Sequence, residues 1–209
     1  MPALVRSGEF TGLAPKERLD QTVRALEARG FKTIVVATGE EARRTVLDLI
    51  PDGAEVYNSP SRTLESIGLE ADVMRATRFQ PVRKRLIALD RATQHREIRR
   101  LTASPDVLVG SVQAITDQGQ VLIASATGSQ LTPAAAGAGT IIWVVGTHKL
   151  VSSVEEGLRR IREYCYPRED ERARQVYGQP SAINKILILH GEHVPGRITV
   201  VLVEQPLGF

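Results

Sequence analysis

Between Val107 and Leu150 the sequence reads VLVGSVQAITDQGQVLIASATGSQLTPAAAGAGTIIWVVGTHKL, in which short apolar runs alternate with clusters of Gly, Ser, Thr and Ala. This alternation constrains the fold more than any other stretch. Val107 to Val109, Val121 to Ala124 and Ile141 to Val145 are too short and too sharply bounded for helices and read as buried strands. The clusters between them, Gly110-Ser111, Asp117-Gln118-Gly119 and Thr127-Gly128-Ser129, put small side chains and backbone N–H groups at strand ends. A ligand can approach the main chain closely at such positions, which suits carboxylates and other small anions.

The preceding chain supplies the alternation of helix and strand that a mainly parallel sheet requires. Leu19, Val23 and Leu26 share one face of a helix from about Lys16 to Arg29, and Gly30 stands at its C-terminal stop. Thr33 to Ala37 reads as a buried strand. Thr38 with Glu41 makes a capping box for a helix carrying Ala42, Val46, Leu49 and Ile50 on one face. After Pro51-Asp52-Gly53 comes a strand from Ala54 to Tyr57, then a polar turn through Ser61, Arg62 and Thr63 and a short helical stretch through Leu64 and Ile67. The stretch from Val82 to Leu101 reads as mainly helical, with Leu86/Leu89 and Ile98/Leu101 as two separate apolar contacts. Ser152 with Glu155, or Ser153 with Glu156, caps a helix bearing Val154, Leu158, Ile161 and Cys165, which Pro167 ends. A polar run to Gly178 follows. Ile183 to Leu189 and Arg197 to Val203 are strong strands, and the seven-residue loop HGEHVPG predicts a C-terminal β-hairpin, because a parallel crossover needs about a dozen residues or more. The expected fold is a single α/β domain over 1–209, a chain long enough to bury roughly 70% of its unfolded surface.

Composition excludes several function classes. The only cysteine is Cys165, so the chain forms no internal disulfide and cannot alone hold an iron–sulfur cluster, which usually takes four thiolates. No run approaches the ~20 apolar residues of a membrane span, and MPALVRSGEF lacks a leader's apolar core, so a cytoplasmic location away from membranes is expected. Gly137-Ala138-Gly139 precedes a strand and has Ile142 at the third glycine position, which rules out a dinucleotide fingerprint, and there is no Walker pattern. His190 and His193 in HGEH lack a third ligand at fitting spacing, so no metal is expected. From Arg75 to Arg100 nine Lys or Arg face two acids, Asp90 and Glu97: the segment carries +7 and the remainder −4, against +3 overall. With Phe79 its only aromatic residue, the segment fits no nucleic-acid module. A solvated helix face or a subunit contact, as in a homo-oligomer, is the expected use, and an anion-sensing or nucleic-acid-binding module ranks last.

Several blocks, in order from about residue 24 to the C-terminus, resemble the lactate-utilisation (LUD) family. LIPDGAEV followed by Ser61-Arg62-Thr63-Leu64 and Ile67-Gly68 looks like the family's first glycine/serine turn. Gln113-Ala114-Ile115-Thr116-Asp117-Gln118-Gly119 resembles its Asn-Ala-Ile-Thr-Glu-x-Gly block. Thr127-Gly128, Val144-Val145-Gly146 with Lys149 and Val151, EEGLRRIREY and ITVVLVEQPLGF follow in family order. The resemblance implies a three-layer α/β/α fold of the kind shared with sugar-phosphate isomerases and CoA transferases. It implies a role in bacterial lactate oxidation beside iron–sulfur partner subunits, this chain being the one without clusters and without an expected cofactor. Departures from the pattern fall where polar contacts are expected: Pro60 stands for glycine, Gln113 for Asn, Asp117 for Glu, and Ser129-Gln130 for Asn-Arg. Loss of that arginine removes a two-pronged anion grip.

The candidate site follows from both readings. Ser61, Arg62, Thr63, Gly110, Ser111, Thr116, Thr127, Gly128, Ser129 and Lys149 are the candidate ligand residues, for a small anionic ligand. Lys149 is either an anion-facing charge or a plain exposed lysine, and Arg62 could replace the charge absent at Gln130. Asp117 resembles in placement the nucleophilic carboxylate of CoA transferases, which would make the chain an enzyme acting on a CoA ester or sugar phosphate. The favoured reading of Asp117 is a hairpin turn, because Asp-x-Gly between two strands is good turn chemistry. His148 is an acid/base candidate with no identifiable partner, and Cys165, on the apolar helix face, reads as a buried inert thiol.

Overall fold

A computed structural model describes residues 8–90 and 92–209, so residues 1–7, where no leader was expected, and Arg91 of the basic segment lie outside it. Six strands form the central sheet: β1 (Lys32–Val36), β2 (Glu55–Asn58), β3 (Gln80–Pro81), β4 (Val107–Gly110), β7 (Thr140–Gly146) and β10 (Ile198–Val203). Their spatial order is β1-β10-β7-β4-β2-β3, and every pairing is parallel. A second, four-stranded sheet has the order β8-β5-β6-β9, from β5 (Ala114–Thr116), β6 (Val121–Ser125), β8 (Leu150–Val151) and β9 (Lys185–Leu189).

The core follows the two-residue period of the central strands. In β7, Ile142 and Val144 point to one face and Ile141, Trp143 and Val145 to the other. The first face is covered by α2 (Gly39–Leu49), α3 (Arg62–Ser66) and α4 (Leu69–Arg75), through Ala42, Val46, Leu64, Leu69 and Val73. The second is covered by α1 (Lys16–Ala28), through Leu19 and Leu26, and by Ile115, Val121, Ile123 and Leu150 of the small sheet. The outer face of that sheet, with Ala114, Leu122 and Val151, packs under α7 (Val154–Arg160) and Ile161. The architecture is therefore α/β, a mostly parallel central sheet flanked by helices, with the small sheet set between it and α7. Among the described residues no helix is long and apolar enough to cross a membrane.

The caps form as expected. Thr38 and Glu41 close a reciprocal capping box, Ser153 is the N-cap that accepts from Glu156 N, and Gly30 takes φ 85° after α1. Four expectations are corrected. The C-terminal strands do not form a hairpin: β9 pairs antiparallel with β6 in the small sheet, whereas β10 enters the central sheet between β1 and β7. All six residues of β10 are buried, as a parallel strand covered on both faces demands. β1 lies at a sheet edge with Val35 exposed. The basic stretch splits into α5 (Val82–Ile87) and α6 (His95–Ala103) around a turn that Asp90 holds by accepting from Ala92 N and Thr93 Oγ1. Pro167 does not end a helix. A π-helical turn over Ile161–Cys165 joins α7 to α8 (Tyr166–Tyr177), and Pro167 sits in the first turn of α8, where a missing N–H is tolerated. Gly178, at φ 67°, stops that helix instead.

Candidate functional site

A cavity of about 860 Å³ opens beside the carboxyl ends of β2 and β4, the region where parallel α/β sheets gather ligands. Its wall takes Pro60 to Thr63 from the turn into α3, Ser111 to Gln113 from the β4–β5 link, and Ala124 to Thr127, Ser129 and Gln130 from the end of β6. Cys165 from the π turn, Tyr166, Arg172 and Tyr177 from α8, and Phe209 complete much of the remainder. The structure thus brings Ser61, Arg62, Thr63, Ser111, Thr127, Ser129 and Lys149 to one cavity from four separate segments.

Lys149 is the most unusual member. It sits in the 3-10 turn that follows β7, and its side chain is buried, not exposed. Nζ donates to Thr63 Oγ1 at 2.8 Å and to Ser111 Oγ at 3.1 Å, and among the described residues no carboxylate pairs with it. Burial, with the nearby charge of Arg160, pushes its pKa from 10.5 down to about 7, opposed in part by Cys165. Thr63 donates in turn to Leu207 O at 3.0 Å, which fixes its oxygen as an acceptor toward Lys149. Gly208 at φ 64° permits this approach, since a Cβ there would lie 2.6 Å from Thr63 Oγ1.

A second cation lies behind the wall. Arg160 is fully buried; Nη1 donates to Gln113 O at 2.5 Å and to Cys165 Sγ at 2.9 Å, while Nε and Nη2 have no hydrogen-bond partner among the described residues. The rings of Tyr164 and Phe10 lie 4.9 and 5.9 Å from its guanidinium carbon. Burial pushes the Cys165 thiol up, against the pull of Arg160 and Lys149, so the thiol stays protonated. His148 is also buried, and its pKa falls to about 3 through desolvation and the charges of Lys149 and Arg160. It is therefore neutral near pH 7. Buried cations without an acidic partner are costly, and a bound anion would offset that cost.

Around the cavity, arginines stand paired with acids: Arg62 with Glu65 at 2.7 Å, Arg172 with Glu169 at 2.7 Å, and Arg83 with Glu70. Arg62 therefore reaches the cavity wall already neutralised. The basic segment is likewise partly neutralised, by Arg78 with Asp52 and Arg85 with Glu55 besides Arg83. That pattern weakens its case as a polyanion patch.

The remaining sequence candidates have structural work elsewhere. Asp117 is absent from the cavity wall; its two oxygens accept from Arg18 Nε and Nη2 at 2.6 and 3.0 Å, tying the β5–β6 turn to α1. A carboxylate so engaged is poorly placed as a nucleophile. Thr116 is buried in the same turn, accepting from Gln120 N at 3.0 Å. Gly110 packs its backbone against Ser59, and Gly128, at φ 88°, packs against the Lys185 stem. The departures at Gln113 and Gln130 also serve structure, since Gln113 Oε1 accepts from Ala124 N and Gln130 Nε2 donates to Ala124 O. Sequence reasoning missed Arg160 and the contribution of α8. An arginine beside an apolar helical stripe that runs through Gly157, Ile161 and Tyr164 was the available signal.

The LUD domain family pattern matches residues 19–203 of this chain. Among solved structures, a DUF162 family protein from Deinococcus radiodurans superposes with a TM-score of 0.51 at 15% identity, covering 92% of this chain and 99% of that one. At that identity the likeness shows the fold. The eIF2B delta chain from Chaetomium thermophilum gives a TM-score of 0.39 at 15% identity, over 88% of this chain and 60% of that one. No curated protein matches this chain in sequence. With the family pattern spanning most of both sheets and the strands around the cavity, the chain belongs to the LUD domain family.

Proposed function

We propose that this protein is the cluster-free LUD-type member of a bacterial lactate-oxidation system and that it holds a small carboxylate, a 2-hydroxy or 2-oxo acid, against Lys149. The observation that carries the reading is the buried Lys149 ammonium on a cavity wall, hydrogen-bonded among the described residues only to hydroxyls. A carboxylate placed there gains a desolvated charge partner, and the Thr63 and Ser111 oxygens already orient the amine. The family supports the lactate connection, and one thiol in these 209 residues fits a subunit whose partners carry the iron–sulfur clusters. Partner chains, the cytoplasmic setting and self-association belong to this same proposal.

The cavity volume favours a second reading. About 860 Å³ lies in the ~300–1,000 Å³ range that accommodates drug-sized ligands, far above the need of a three-carbon acid. A CoA ester or sugar phosphate, its anionic part at Lys149, is the alternative substrate class, with the protein acting as an enzyme.

A thermal-shift panel of lactate, pyruvate, CoA esters, sugar phosphates and nucleotides on wild type and Lys149→Met separates these readings. Stabilisation by the three-carbon acids, lost in the variant, supports the first. Stabilisation confined to CoA esters or sugar phosphates supports the second, and silence across the panel removes both.

A further inference from the structure

We infer that Lys149 is a covalent nucleophile that forms an imine with the carbonyl of a 2-oxo acid seated in the cavity. This rests on the small-carboxylate reading above and adds a chemical role to charge pairing: the ammonium form attracts the acid, and the neutral amine in equilibrium with it is the nucleophile. Three observations on the site carry it.

Among the described residues the amine is held without an acid. A lysine paired with a carboxylate of the protein keeps its proton and has no lone pair to offer, whereas among the described residues Lys149 Nζ has two hydroxyl neighbours and no carboxylate partner. The two hydroxyls are not equivalent. The Thr63 proton is committed to Leu207 O, so Thr63 serves Nζ only as an acceptor. Ser111 has no other side-chain partner among the described residues, lines the cavity and can donate as well as accept. It can therefore pass a proton between the amine and an oxygen bound in the cavity. Finally, Arg160 and His148 surround Lys149 with one positive and one neutral group, and the Cys165 thiol is protonated. These neighbours favour the free amine near neutral pH, the way a second cation activates a lysine for carbonyl chemistry.

The step balances without a further reagent. The Nζ lone pair adds to the carbonyl carbon, and one amine proton moves to the carbonyl oxygen, giving a carbinolamine. The second amine proton follows to that hydroxyl through Ser111, the C–O bond breaks, water leaves and the C=N bond closes. Lactate, with no carbonyl, cannot take this path.

The test uses the full chain with pyruvate and sodium borohydride, followed by peptide mass mapping. The reductant supplies the hydride that traps an imine as a stable amine. The other lysines, Lys16, Lys32, Lys84 and Lys185, are exposed and report non-specific modification in the same digest. The inference predicts a reduced-pyruvate adduct on Lys149 in at least ten-fold excess over those four, none with lactate, and none in Lys149→Arg, which keeps a cation. Thermal stabilisation by pyruvate and lactate alike, with adducts no more frequent at Lys149 than at the exposed lysines, overturns the imine and leaves carboxylate binding standing. Absence of both stabilisation and adduct overturns both. Because the decisive comparison is made within the wild-type chain, it does not depend on the variant folding.

Discussion

Lys149 Nζ and Thr63 Oγ1 lie 2.8 Å apart, joining the turn after β7 to the first turn of α3 across 86 positions of sequence. The row continues from Thr63 to Leu207 O, so the amine is fixed by the same contact that seats the C-terminal segment. Removing any part of it should therefore be felt both in stability and at the cavity.

The buried lysine should give the protein a distinctive alkaline response. Its folded pKa of about 7 lies below the ordinary 10.5, so between those values the unfolded chain binds more protons and stability rises with pH. The penalty is full below pH 7 and gone above about pH 10.5. Urea unfolding of wild type and Lys149→Met should show the difference between them changing in favour of wild type by up to about 1.4 kcal/mol per pH unit across that window. At neutral pH the Met variant should be at least as stable as wild type, as apolar replacement of an unpaired buried charge allows.

His148 makes the corresponding prediction on the acid side. Its pKa falls from 6.5 to about 3, so the unfolded chain again binds more protons between those values and stability is lost as pH falls through them. His148→Leu should flatten this part of the stability curve. Carboxylates with lowered pKa, such as Asp170 and Glu156, contribute the same sign in both proteins and cancel in the difference.

Asp117 should prove structural. Its bidentate pair with Arg18 is partly exposed, so Asp117→Asn is expected to cost about 1 kcal/mol, with a double-mutant coupling to Arg18→Ala of similar size. Ligand stabilisation in the thermal-shift panel should be unchanged.

Gly208→Ala should disturb the site through the backbone. The residue has φ 64°, and a Cβ would meet Thr63 Oγ1 at 2.6 Å and Thr63 N at 2.7 Å. Gly53, at φ 79° with open space around it, is the control: alanine there should cost about 1 kcal/mol of backbone strain, whereas Gly208→Ala should cost more and weaken ligand stabilisation.

Local chemistry was legible in the sequence, and long-range partnership was not. Strands β4, β6 and β7, both capping pairs and the Asp-x-Gly turn follow from residue types within a few positions of one another. The hairpin expectation failed because loop length carried the argument, although the uninterrupted ITVVLV already indicated a strand covered on both faces and the lysine opening β9 an edge. Pro167 misled because the π turn before it has no sequence signature as strong as proline itself. At the site, small residues at strand ends marked the right region. What decides the chemistry of Lys149 is its burial beside Thr63 and Ser111 and the charge of Arg160, 86, 38 and 11 positions away. No pattern around Thr147-His148-Lys149 distinguishes it from an exposed turn lysine. The same separation hid Arg18, 99 positions from the carboxylate it holds.

Isothermal titration of lactate at pH 7.5, in buffers of different ionisation enthalpy, tests the central claim most directly. A carboxylate bound at Lys149 raises the pKa of an amine that is partly neutral when free, so binding must draw protons from the buffer. The account predicts saturable binding with net proton uptake in wild type and loss of both in Lys149→Met. Binding of equal strength in the two proteins, or no binding in either, would contradict it.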